Sequence, residues 1–469
     1  MHLPPTDSPL SGPFSQWAGS FFSSCVLTPT APVTAPLTAP VAAPVTSPVL
    51  GIDFGTSNSA AAYMDASGQL QEVPLGQGRA EMPTALFFDA ETHTVLYGHE
   101  AMQAYLSGAE GRLLRALKSL LGSPLMDEVT SVNGEAMRFF DIVVLFFKEL
   151  KRRSEAHVGQ PITHAVLGRP VHFVDEDPAR DAQAQDALGR AARQAGFTDF
   201  SFQLEPIAAA LDHEQRLTGE TTVLVVDIGG GTSDFTVIRL HPARSRQVDR
   251  TGDILATTGV HIGGTNFDRL LDLDQVMPLM GYRHADAVGR PVPSSVFFDL
   301  STWHLIHQAY SRKSMLFAQS LGTHYANRQL HARLMDALHN QHGHRLLAGV
   351  ESAKIACSQT GQPAQVLLDY LLPDPPAAGV AVQPLSAWLE AEALARALQP
   401  ALEPVVACAQ LCVQRSGLNH VDEVVLTGGS SALRPLVDAL QQAMPEAKLV
   451  AGNRFGGVAA GLAVTGFNS

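Results

Sequence analysis

The sequence predicts an α/β protein built from two related halves around a central cleft. Three observations carry that expectation. Two strand–turn–strand segments, each with an acidic strand end and a Gly/Thr/Ser-rich turn, recur about 170 residues apart, a spacing far beyond any solenoid period. Strand-like apolar runs alternate with helix-patterned stretches from residue 50 to the C-terminus. The composition, 45% hydrophobic and 16% charged over 469 residues, is that of a globular chain with material for a large core.

Residues 1–49 stand apart from this pattern. They hold ten of the 30 prolines and a single charged residue, Asp7. Proline at every fourth position removes backbone donors, so the segment is predicted to be an extended, disordered extension. It has no basic start or long apolar centre of the kind a signal peptide needs, and no run approaches the length of a membrane span. The net charge of −13, from 32 Lys+Arg against 45 Asp+Glu, argues against a protein that coats nucleic acid or anionic membrane. Four cysteines, Cys25, Cys357, Cys408 and Cys412, fit a reducing, cytoplasmic setting. Cys408 and Cys412 are four apart, as packing thiols on one helix face would be.

Taken in order, LGIDFGTSNSAAAYMD from Leu50 reads as a hairpin. Helices are expected around residues 99–122 and 138–157, then a buried strand over 163–168. An Ala-rich helix follows over 177–196, and another opens at Leu204 with Pro206 in its first turn. The second hairpin, TTVLVVDIGGGTSDFTVIRL, resembles the first. A helix over 385–416, the strand DEVVLTGG and a helix starting near Leu433-Arg434-Pro435 complete the chain. Two such halves predict a ligand held in the cleft between them.

The turns suggest which ligand. Gly229, Gly230 and Gly231 can turn consecutive N–H groups into an anion-binding nest. Thr232, like Thr56, Ser57 and Ser59 in the first hairpin, adds a hydroxyl donor. Asp53 and Asp227 end their strands beside these turns, where carboxylates can hold hydrated magnesium through its waters; Asp234 is a third candidate. A lone hairpin of this kind is by default an ordinary tight turn. Two related ones in a single chain favour phosphate binding. A strand rather than a helix follows each turn, which disfavours Rossmann and Walker loops.

Asp53-Phe54-Gly55-Thr56-Ser57-Asn58-Ser59 and Asp227-Ile228-Gly229-Gly230-Gly231-Thr232-Ser233-Asp234 resemble the two phosphate loops of the actin-like ATPase superfamily. Further segments resemble the ATPase domain of the 70-kDa heat-shock chaperones, in family order: Leu204-Glu205-Pro206-Ile207-Ala208-Ala209-Ala210, His261-Ile262-Gly263-Gly264-Thr265-Asn266-Phe267-Asp268, Glu351-Ser352-Ala353-Lys354, Leu402-Glu403-Pro404-Val405 and Val424-Val425-Leu426-Thr427-Gly428-Gly429-Ser430-Ser431. The resemblance implies an actin-like ATPase fold of two duplicated lobes with helical insertions, binding ATP or ADP with Mg²⁺. It implies that Asp53 and Asp227 position magnesium, while Lys118 contacts the γ-phosphate and the attacking water. Glu205 would help set that water, Thr232 would bond the γ-phosphate and Asp234 would assist. Gly55, Thr56, Ser57, Asn58, Gly229, Gly230, Gly231, Gly263 and Gly264 would surround the phosphates. Glu351, Lys354, Ser358, Gly428, Gly429 and Ser430 would line the nucleoside.

The expected organisation is an extension over 1–49, a first lobe over 50–225 and a second over 226–469. The second lobe would carry a His-rich insertion at about 284–345. The sequence ends at Ser469, directly after the last ATPase-type helix, so no peptide-binding domain is expected and the architecture resembles a short YegD-type branch. Ile355 stands where an arginine would stack on adenine, and Ala432 and Leu433 where a second would. The insertion holds His284, His304, His307, His324, His331, His339, His342 and His344. No cysteine or paired acid falls at a zinc-like spacing, so helical packing is the expectation there. The function implied is a slowly hydrolysing, chaperone-type ATPase whose closure is read by a partner or client protein. An actin-like filament protein or a small-molecule kinase of the same fold are the alternatives.

Overall fold

The computed structural model describes residues 48–174, 177–214, 217–244, 250–371, 384–452 and 457–468. Of the expected N-terminal extension, all but Pro48 and Val49 lies outside the described residues.

Two sheets repeat one topology. In the first, the strands run in the order Asp199–Leu204, His164–Arg169, Val49–Phe54, Asn58–Met64 and Leu70–Glu72, with Glu81–Pro83 also pairing Asn58–Met64. In the second the order is Lys448–Ala451, Glu423–Thr427, Thr221–Ile228, Ser233–Leu240 and Ile254–Val260. Each sheet therefore has a central hairpin, an antiparallel third strand on one side, and two parallel strands on the other. Parallel neighbours need crossovers, and these contain the helices.

The first hairpin folds as its alternation requires. Leu50, Ile52 and Phe54 are buried, and Phe54 packs on Phe146 and Phe147 with ring centres 5.8 and 5.0 Å apart. Those two phenylalanines lie on the buried face of the helix Phe139–Val158, which stops at Gly159 in a left-handed conformation. The Ala-rich helix spans Pro178–Ala195. The Asp177 carboxylate accepts the Arg180 N–H at its start, and Gly196 ends it.

Two helices tie the halves together. Glu205–Glu214 follows the last strand of the first sheet, yet Ile207, Ala210 and Leu211 pack with Val223, Val225 and Val425 of the second. Gly457–Asn468, near the C-terminus, returns to the first sheet. Its Ala459 and Ala463 meet Ala60 and Ala62, and its Val458 and Leu462 meet Val166 and Ala208. Small side chains on both surfaces allow this close approach.

Three expected helices differ in extent. The stretch expected to be helical over 99–122 is a helix only at Gly98–Leu106. The chain then forms the strand Gly111–Arg115, paired with Ala85–Asp89, and a short 3₁₀ turn at Leu117–Leu120. Gly108 at positive φ and Ala116 in a left-handed conformation (φ 55°) break the helix, and Leu113 and Leu114 gain a sheet partner instead. The helix expected from Leu204 starts one residue later, after the strand Asp199–Leu204. The one expected over 385–416 is the strand Ser386–Leu389 followed by the helix Ala391–Arg415. On that helix Cys408 and Cys412 are free and buried, and the Cys412 thiol donates to the Phe235 carbonyl at 3.4 Å. The insertion is helical, with Ser295–Leu300, Arg312–Ser320 and Arg328–His339 among its segments.

Glu205–Glu214 is anchored at its far end. The Arg250 guanidinium donates two bonds to Glu214, at 2.7 and 2.8 Å, and a third to Asp253, all three residues being buried. Removing one member of such a set strands a buried charge. Arg250→Ala is expected to lower the unfolding free energy by about 3–5 kcal/mol, measured by urea denaturation.

Asp272, also fully buried, accepts one bond from the Ser301 hydroxyl at 2.6 Å. Burial pushes its pKa up to about 7, opposed by that bond and aided by Asp268. A raised carboxyl pKa means the folded chain keeps a proton that the unfolded chain has lost. Stability is therefore full below about pH 4 and falls as pH rises towards 7. Asp272→Asn is expected to raise the melting temperature at pH 8 by a few degrees, with the gain vanishing near pH 4; a calorimetric pH series checks it.

Candidate active site

The strand ends of the two sheets meet in the cleft. Asp53 is one residue from the end of Val49–Phe54, and Asp227 holds the same place in Thr221–Ile228. Their turns face each other: a Cβ added to Gly230 would fall 1.8 Å from the Ser57 hydroxyl. Glycine at 230 is what lets the two hairpins approach this closely.

In the second turn Gly229 N–H donates to the Thr232 carbonyl at 2.9 Å. The next three N–H groups, of Gly230, Gly231 and Thr232, have no partner among the described residues. Thr56 and Ser57 in the first turn are alike in this. Consecutive unspent amides at facing turns are the donor set that an anion of several phosphates requires. The Thr232 hydroxyl donates to Asp234 at 3.0 Å, and Asp234 pairs in register with Asp227.

Lys118 enters from the 3₁₀ turn Leu117–Leu120, and its Nζ lies 2.7 Å from Glu205 Oε1. Glu205 is at the first turn of the crossing helix, so this ion pair joins the turn to the element that spans both sheets. Burial works against the charge of Lys118. Glu205, Asp53 and Asp227 outweigh it and hold the ammonium pKa above its usual value. Burial and the Glu205 carboxylate push Asp53 up, with Lys118 opposing. Burial raises Asp227 to about 8, with Asp234, Glu205 and Asp53 adding to it. One ammonium thus faces a crowd of carboxylates, an imbalance that suits a further cation. Among the described residues no three His, Cys, Asp or Glu side chains converge to ligate a metal directly. A cation coordinated through water is the kind this donor set fits.

The remaining expected residues form a wall beside the second turn. Gly263 packs on the backbone of Gly230 and Gly231, where a Cβ would come within 2.7 Å. Its N–H goes to the Asn266 side chain, and that of Gly264 to the Gly229 carbonyl at 3.0 Å. These two glycines brace the turn with amides already spent. Gly428 and Gly429 follow Glu423–Thr427, and the Ser430 N–H donates to the Ile228 carbonyl at 3.2 Å. Ser358 donates to the Ala432 carbonyl at 3.2 Å and accepts the Arg434 N–H at 3.0 Å, fixing the helix Gly343–Thr360 to this loop. Lys354 is buried and bonded to Asp268 at 2.8 Å, so it holds two helices together. Glu351 and Ile355 are exposed on the same helix.

Sequence reasoning missed Asp268 as the partner of Lys354. It also missed Tyr105 and Arg115, which it had assigned to one continuous helix. Gly108 and Gly111 were the breaker signals that mark the strand between them.

Residues 49–275 match the family model described as Hsp70 protein. The chain is 31% identical over 226 residues to the chaperone protein DnaK of Thermosipho africanus and 32% identical over 226 residues to that of Thermotoga neapolitana. Each match covers 48% of this chain and 35% of the relative, so the chain spans about a third of the length of these curated relatives. Nothing in these matches bears on the YegD-type branch. Residues 49–275, which carry both hairpins, therefore resemble an Hsp70-family ATPase domain, and the duplicated α/β sheets are consistent with its actin-like fold.

Proposed function

We propose that the chain is a Mg²⁺-dependent, slowly hydrolysing ATPase of chaperone type. Nucleotide would close its two lobes, 50–225 and 226–469, and a partner or client protein would read the closure. The observation that carries this is the Lys118–Glu205 pair, 2.7 Å long, set among Asp53 and Asp227 beneath two turns with unspent amides. In this reading the amides of Gly230, Gly231 and Thr232, with Thr56 and Ser57, hold the phosphates. Lys118 supplies positive charge where the γ-phosphate oxygens gain negative charge, and Glu205 orients the attacking water. Asp53 and Asp227 would hold magnesium through its waters; the ion neutralises phosphate charge when bound.

Two contacts support the reading of slow turnover. Glu205 is tied to Lys118, and the Thr232 hydroxyl is tied to Asp234, so neither is a free general base. We further place the protein in the cytoplasm, a reducing setting that suits the free, buried Cys357, Cys408 and Cys412.

ATP should bind the purified chain with magnesium, and hydrolysis should yield ADP and phosphate. Lys118→Ala and Asp227→Ala should each lower turnover about tenfold to a hundredfold with circular dichroism unchanged. Unchanged turnover in both variants defeats the assignment. ATP-dependent sedimentation would instead favour a filament protein, and dependence on one added metabolite a kinase.

A further inference from the structure

A second set of contacts spans the cleft above Lys118. Arg115 ends the strand Gly111–Arg115, three residues before Lys118, and its guanidinium lies 4.3 Å from the centre of the Trp303 ring. Trp303 belongs to the insertion of the opposite half and is itself held. Its carbonyl bonds His344 Nε2 at 3.1 Å, and the two rings meet edge-on with centres 4.6 Å apart. A carbonyl can only accept, so Nε2 carries the proton and Nδ1 is left as an acceptor. The Tyr105 hydroxyl donates to that Nδ1 at 2.6 Å. Tyr105 and Arg115 come from one side of the cleft, Trp303 and His344 from the other.

Arg115 is incompletely satisfied by this arrangement. Burial disfavours its charge, and the carboxylates of Glu351 and Asp268 support it. Asp268 is already bonded to Lys354. Among the described residues Arg115 donates no hydrogen bond. A half-buried guanidinium with five donors unspent, stacked on Trp303 and under the influence of the Glu351 and Asp268 carboxylates, is a preorganised site for oxygen acceptors.

We propose that Arg115, backed by Trp303, donates to the sugar–phosphate part of the bound nucleotide and thereby locks the cleft around it. This rests on the ATP-binding reading above. Lys118 then serves the reacting phosphate, while Arg115 serves the part of the ligand that is kept, so the two act on different steps. Because Trp303 sits in the insertion, the insertion sets how long nucleotide stays bound.

The test is stopped-flow release of a fluorescent ADP analogue from the full chain, with ATP affinity by calorimetry. Arg115→Ala should weaken ATP and ADP binding and speed ADP release about tenfold, acting on KM more than on kcat. Arg115→Lys should rescue this only in part, because an ammonium lacks the planar fork. Trp303→Leu should speed release by a smaller factor. An unchanged melting temperature without nucleotide separates loss of a ligand contact from loss of structure. Wild-type release rates in both Arg115→Ala and Trp303→Leu overturn the proposal while leaving ATP binding intact. A wild-type chain that binds no ATP removes the ATP-binding reading, and this inference with it.

Discussion

The crowding of carboxylates around a single ammonium is the constraint on which the rest of the cleft depends. Beyond burial, Glu205 raises the cost of charging Asp53 and Asp227, Asp53 adds to that of Asp227, and Lys118 is the cation that the chain supplies against them. In a partly buried site such an imbalance costs stability when the site is empty and favours whatever brings compensating charge. The cost is tolerated because every group is held by rigid structure. The two aspartates sit on central strands, and Glu205 begins a helix whose other end is clamped by Arg250.

Duplication explains why the aspartates face each other. Both sheets place their hairpin at the centre and two parallel strands beside it, so equivalent turns emerge at equivalent strand ends. The crossing helices Glu205–Glu214 and Gly457–Asn468 then carry each half's chain onto the other half's sheet. Both halves therefore pack against this pair of helices. The first of them begins at the site residue Glu205.

Much of the site was legible because its residues lie at turns, where the chemistry is local. The acid, the glycines and the hydroxyl of Asp227–Thr232 adjoin in sequence and adjoin in space. Lys118 was legible only through resemblance, since a lysine in a helical pattern carries no local signal. Arg115 and Tyr105 were not legible at all. Their neighbourhood reads as helix by periodicity, and only pairing with Ala85–Asp89 turns Gly111–Arg115 into a strand pointing at the cleft. Lys354 illustrates the converse: its motif was visible, but its burial against Asp268 depends on how two helices pack.

By itself the sequence determined the two hairpins, their phosphate-type turns and the duplicated α/β plan. The hairpins and turns follow from residue patterns within some twenty positions, where φ preference and alternation act directly, and the duplicated plan from their recurrence about 170 residues apart. The tertiary structure alone decided which charges share the cleft, which amides stay unspent, and that an insertion reaches over the site through Trp303 and His344. Those are contacts between segments far apart in the chain, as the bond from Tyr105 to His344 shows. Their energies depend on burial and mutual distance, quantities that exist only once the chain has folded.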